Sequence, residues 1–237
     1  MEFPVPLAEL KQPQSPQAPK PPITNLLIYA VTGLLIGLIA QEFRWRGSLM
    51  VPQSQMAQAE KDVRAGDYKT AVTIFEKLAG NNDPLAEYWV AHMTELGLGM
   101  PRDPAKAVEL YKKAAAQDVA AAELRLGEIY LHGDLVLPDF AQAKTYLEKA
   151  AYHGGPRAAM LLGQMYRDGL GMPADQKEAY AWLEVATLEG SVFASRDRDA
   201  TFHDLSATER NTAIARAQEL LKIIKSETPP AKPPISK

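Results

Sequence analysis

Apolar and polar positions between residues 84 and 191 return every 36 residues, and no gap is needed to align them. The copies read "PLAEYWVAHMTELGLGMPRDPAKAVELYKKAAAQDV" (84–119), "AAAELRLGEIYLHGDLVLPDFAQAKTYLEKAAYHGG" (120–155) and "PRAAMLLGQMYRDGLGMPADQKEAYAWLEVATLEGS" (156–191). Ala86, Ala122 and Ala158 coincide, as do Ala91, Gly127 and Gly163, and Met93, Ile129 and Met165. The register continues through Gly97, Gly133 and Gly169, Asp103, Asp139 and Asp175, Ala107, Ala143 and Ala179, and closes at Ala114, Ala150 and Ala186. A fixed period of this length marks stacked supersecondary units. Each unit divides into two predicted helices. The first runs from about Ala86 to Leu96 with Val90 and Met93 on its apolar side. A glycine-bearing turn follows, and Asp103 is placed to cap a second helix. Ala107, Leu110, Tyr111 and Ala114 give that helix an apolar stripe at i, i+3, i+4 and i+7. Small residues at Ala91, Gly127 and Gly163 let the paired helices approach closely. The expected fold is an all-α solenoid.

The pattern extends on both sides. Asp67, Ala71, Phe75 and Ala79 precede Asp103, Ala107, Tyr111 and Ala115 by 36 residues, with only "AGDY" as the turn, so residues 48–83 read as a leaner helix pair. Residues 192–225 read as capping helices. "FASRDRDATFHD" supplies one, and "LSATERNTAIARAQELLKIIK" opens a second with Ser206 and Glu209 in a capping box. Its stripe of Ala213, Ala217, Leu220, Leu221 and Ile224 suits a terminal helix shielding the last repeat. Of the 18 prolines, seven fall in residues 1–22 and four in 226–237, which predicts extended tails acting as spacers.

Residues 23–40, "ITNLLIYAVTGLLIGLIA", carry no charge. As a helix they span roughly 27 Å, the thickness of a bilayer core. Phe43 and Trp45 supply interfacial aromatics, and Arg44 and Arg46 head-group contacts. A single transmembrane anchor over 23–41 is expected. A cleaved signal peptide is the competing reading, disfavoured by the long proline-rich lead-in and by Leu38 where a small residue should precede the cut after Ala40. The flanking charges nearly balance, Lys11, Lys20 and the amino terminus against Arg44 and Arg46. A short tail entering an uncleaved span resembles a signal anchor, which favours the repeats on the periplasmic side of a bacterial inner membrane. Gly33 and Gly37 form a G-x-x-x-G through which two such helices can associate into a homodimer.

The remaining totals exclude more than they suggest. A net charge of −3 gives no general reason to bind nucleic acid. The absence of cysteine excludes disulfides, thiolate metal sites and cysteine nucleophiles. Glu128 and His132 share a helix face at i, i+4, but two ligands make no metal site. Asp197, Asp199 and His203 read as a salt-bridged helix turn rather than acid–base machinery. No P-loop, G-x-S-x-G or H-E-x-x-H is present. No enzyme activity, cofactor, metal or small-molecule substrate is expected. Stacked helix pairs do leave a concave face lined by the first helix of each repeat. Positions outside the repeated apolar set are its candidates for contacting a protein: Glu87, Trp89, His92, Glu123, Arg125, Glu128, His132, Gln164 and Arg167. Trp89 stands where the next copies hold Arg125 and Leu161, either as an exposed anchor or packed beneath the leaner first unit.

The series Ala158, Leu162, Gly163, Met165, Tyr166, Gly169, Gly171, Asp175, Ala179, Trp182 and Ala186 resembles the Sel-one-like repeat, a relative of the tetratricopeptide repeat. The copy at 86–114 departs at Ala91 and Thr94, and the copy at 122–150 has Leu135 for the second loop glycine. The resemblance covers roughly residues 55–225 and implies an adaptor that holds other proteins together. Joined to the anchor, it gives a membrane-bound interaction scaffold keeping a partner beside an envelope complex. A chaperone-like accessory subunit of an assembly machine and a regulatory, non-catalytic subunit of a membrane enzyme complex are the alternatives.

Overall fold

The computed structural model describes residues 55–227. The expected amino-terminal tail and the span over 23–41 with Gly33 and Gly37 lie outside them. Of the expected tail 226–237 only Ser226 and Glu227 are described, as the end of the last described helix. No helix among the described residues is long and apolar enough to cross a membrane.

The described residues form helices throughout. They run in chain order as α1 (55–65), α2 (Tyr68–Ala79), α3 (Pro84–Leu96), α4 (Pro104–Ala115), α5 (Ala120–His132) and α6 (Phe140–Tyr152). Then follow α7 (Pro156–Asp168), α8 (Gln176–Leu188), α9 (Ala194–Asp204) and α10 (Ala207–Glu227). Helices α3, α5 and α7 each pack on the helix that follows, and each second helix packs on the next first helix, which makes a solenoid. The aspartates found in register start the second helices. The Asp103 carboxylate accepts from the Lys106 amide, that of Asp139 from Ala141 and Gln142, and that of Asp175 from Lys177 and Glu178, satisfying amides that have no partner within the helix. Gly169 ends α7 at φ 69, a left-handed conformation costly for any residue with a Cβ.

Within a repeat the two helices meet where a side chain is missing. A Cβ built on Gly163 would lie 2.6 Å from Leu183 Cγ, and one on Gly127 2.6 Å from Leu147 Cγ. The leucines fill the space that the glycines vacate. Phe75, Leu78, Ala86 and Met93 form one buried cluster between α2 and α3. A second runs unbroken from Ala91 through Leu126, Leu147, Leu162 and Trp182 to Ile224.

The course of α10 differs from a helix that only shields the last repeat. It packs along α8 and reaches α6. Ala213, Ala217, Leu220 and Ile224 of the expected stripe are buried, while Leu221 is half-buried. The cause is visible in α8. Ala181 and Val185 are buried there, whereas the same positions of α4 and α6 carry Glu109 and Thr145, and Lys113 and Lys149, all exposed. An apolar outer face on α8 needs a cover, and α10 provides it. Arg216 on α10 donates to both Glu178 carboxylate oxygens at 3.1 Å, fixing the two helices in register.

Candidate protein-binding face

The first helix of each pair, with α9 continuing the row, forms the inner side of the stack. The structure divides the nine candidate residues among three situations.

Glu87 and Glu123 do not face a groove. Both are buried, at 4% and 0% exposure, and turn to the second helix of their own repeat. Gln117 Nε2 donates to Glu87 at 2.8 Å, and His153 Nδ1 lies 2.8 Å from Glu123, in the same slot one repeat later. Helix periodicity places them beside the inner face, but the stagger of the paired helices buries them. Burial pushes the Glu123 carboxyl above its ordinary range, against the pull of His153 and Lys149.

Trp89 is half-buried and belongs to the packing of α2 on α3. Its ring stacks on Phe75 at 5.3 Å with 5° between planes, and meets Tyr88 edge-on at 5.8 Å. Of the two readings of this residue, the structure matches packing beneath the lean pair.

Apart from His132, the remaining candidates lie in a network of polar contacts, much of which crosses from repeat to repeat. Arg125 on α5 donates through Nε to Glu95 Oε2 at 3.1 Å and through Nη2 to the other oxygen of the same carboxylate. Its Nη1 reaches Glu128 at 3.3 Å. Glu128 in turn accepts from Arg157 Nε on α7 at 2.5 Å. Gln164 and Arg167 on α7 both reach Asp197 on α9, at 2.9 and 3.1 Å. Glu128 is therefore engaged by arginines, while His132 stands exposed at the end of α5. Among the described residues no three of His, Asp and Glu come together as metal ligands.

Glu95 escaped the sequence reading. The equivalent positions hold Leu131 and Arg167, so the period marks it as variable without showing that it is buried. Tyr111 Oη donates to it at 2.8 Å, and His92 Nδ1 lies 3.3 Å from the same hydroxyl oxygen. Because the Tyr111 proton goes to Glu95, His92 must supply Nδ1–H, which leaves Nε2 as an acceptor. Burial raises the Glu95 carboxyl, but the hydrogen bonds from Arg125 and Tyr111 and the charge of Arg125 outweigh it, and the group sits below its ordinary range. Burial lowers His92 and keeps its ring neutral at pH 7.

Between α3 and α5 the inner side opens into a cleft of about 470 Å³, with α7 at its edge. Ala121, whose counterparts are Leu85 and Arg157, lines it together with Leu96 and Leu124. Tyr88, His92 and Arg157 complete the rim.

A family model described as Sel1 repeat matches residues 84–119, 120–155 and 156–191, the same three windows as the 36-residue period. Residues 84–191 are three Sel1 repeats. The solved structures agree. One similar structure is a protective antigen present in uropathogenic Escherichia coli strains, displaying an SLR fold. It is 27% identical with a TM-score of 0.68, covering 78% of this chain and 41% of that one. Another is a Sel1 repeat protein from Oxalobacter formigenes, 27% identical with a TM-score of 0.59, covering 73% of this chain and 69% of that one. Among curated proteins, chitin synthase regulatory factor 3 of Schizosaccharomyces pombe is 39% identical over 67 residues. That match covers 28% of this chain and 7% of the relative, so this chain spans a small part of that protein. Sel1 repeat proteins act in protein–protein interaction.

Proposed function

We propose that this chain is a non-catalytic interaction scaffold. Its Sel1 repeats hold a partner protein on the inner face, and the uncharged segment 23–41 tethers them to a bacterial inner membrane with the repeats on the periplasmic side. The observation that carries this reading is the asymmetry of the solenoid. The outer face of α8 is covered by α10, whereas the inner face between α3 and α5 presents an open cleft with aromatic, aliphatic and charged walls. The carboxylates inside that cleft are engaged by their neighbours: Glu95 by Arg125 and Tyr111, Glu128 by Arg125 and Arg157. With both carboxylates held in ion pairs, the cleft suits recognition better than carboxylate acid–base chemistry. The partner is a protein of an envelope complex, and a homodimer through Gly33 and Gly37 would double the available faces.

A second reading has one observation in its favour. The curated relative is by its printed name a regulatory factor of chitin synthase, which supports a regulatory subunit that restrains or positions an enzyme.

Both readings are tested by co-purification of the full-length chain from its native membrane in mild detergent. His132→Glu changes the exposed end of α5 without touching the polar network. The proteins that co-purify with the natural chain should fall about tenfold with this variant. Glu109→Lys with Thr145→Glu, on the outer helices, should leave them in place. Loss with the outer pair alone would remove the inner-face reading.

A further inference from the structure

We infer that the cleft between α3 and α5 takes an acidic, aliphatic peptide segment of the partner, with a carboxylate on Arg157 and an adjacent aliphatic side chain between Leu96 and Leu124. This deepens the protein-binding reading above and rests on it.

The inference comes from counting what the cleft's own polar groups leave unused. Glu95 holds Arg125 through both oxygens and receives the Tyr111 proton, so neither oxygen is left for a ligand cation. Glu128 is shared between Arg125 and Arg157 and its side chain is 13% exposed. The acids are spent. Arg157 is not. Its Nε serves Glu128, its side chain remains 63% exposed, and its two terminal nitrogens form the fork that suits a carboxylate. The spare donors at the rim are those of Arg157, and the ligand group that complements them is an anion.

Two further features select a peptide over a simple organic anion. His92 donates its Nδ1–H to Tyr111 and is left with an acceptor at Nε2, which suits a backbone N–H. Leu96 is 50% exposed, and Leu124 is half-buried opposite it, so an aliphatic side chain entering there covers apolar surface that water now touches. Donor, acceptor and apolar slot lie within one cleft of about 470 Å³, which fits a side chain or two and their backbone.

The test uses the full-length chain in mild detergent, immobilised and exposed to a pool of acetylated nonapeptides random at every position. The retained peptides are sequenced by mass spectrometry. Sequences pairing Asp or Glu with a neighbouring Leu, Ile or Val should be enriched about tenfold over the same sequences with Lys. Arg157→Glu should reverse that preference toward Lys, and circular dichroism should confirm that this exposed substitution leaves the helices intact. Leu96→Asp, also exposed, should abolish the aliphatic preference. Retention should weaken as pH falls through the depressed His92 pKa, below the ordinary 6.5, where the protonated ring loses its acceptor. No enrichment, or the same acidic preference with Arg157→Glu, overturns the inference. If co-purifying proteins depend on the inner face while the peptide pool shows no acidic preference, the protein-binding reading stands and this one falls. If the pool behaves as expected and co-purification ignores the inner face, the protein-binding reading fails instead.

Discussion

Single residues set both the packing of the repeats and their response to pH. At Gly163 the missing side chain lets Leu183 fill the space between α7 and α8. Gly163→Leu should overpack that contact and cost about 1–3 kcal/mol, read as a lower urea midpoint with an unchanged slope. An unchanged midpoint would mean that the helices are not in contact there. Two of the buried carboxylates, Glu95 and Glu123, act in opposite senses. Glu95 titrates below the ordinary value of 4.5 in the folded chain, so its stabilisation is present above that value and is lost as pH falls through its depressed pKa. Glu123 titrates above 4.5, so the folded state holds its proton more tightly, and stability is lost as pH rises from 4.5 through its raised pKa. Glu123→Gln should remove that loss from a plot of unfolding free energy against pH. A plot with the same slope above pH 4.5 would show that Glu123 ionises as easily folded as unfolded.

Elements show what the sequence makes legible and where it stops. Asp103, Asp139 and Asp175 locate the starts of α4, α6 and α8, and Gly97, Gly133 and Gly169 the ends of α3, α5 and α7, because caps and left-handed turns depend on local chemistry. The path of α10 is a tertiary matter: its stripe points to the last repeat, but not to the α8 face it covers or to its reach to α6. A signal existed in Ala181 and Val185, apolar where α4 and α6 are polar. The ladder through Glu95, Arg125, Glu128 and Arg157 was half legible. Arg125 and Glu128 stand out as departures from the repeated pattern, but their partners lie 29 and 30 residues away, and only the stagger between repeats brings them together. Val185→Lys, which restores the residue of the other repeats, should place a charge beneath α10 and cost about 3 kcal/mol or more in thermal or urea unfolding. Glu109→Ala, on an open outer face, should change stability by less than about 0.5 kcal/mol. Equal effects would mean that α10 leaves α8 uncovered.

At the scale of the whole molecule, three Sel1 repeats, a lean pair before them and α9 and α10 after them make one solenoid, in which α10 covers the outer face of α8 and the inner side opens between α3 and α5. Residues 23–41 would fix that solenoid to a membrane. Full-length protein should stay in the pellet after a carbonate wash, and protease added to spheroplasts should digest the repeats; protection of the repeats would reverse the orientation. The central claim is that the inner face holds a partner protein, and a photo-crosslinking residue placed at equivalent positions around the stack tests it most directly. Leu96, His132 and Asp168 form an exposed inner row, one per repeat, and Thr73, Glu109 and Thr145 an exposed outer row. Irradiation of intact cells should give the same discrete protein adduct from two or more inner positions and none from the outer row. Adducts confined to the outer row would contradict the account.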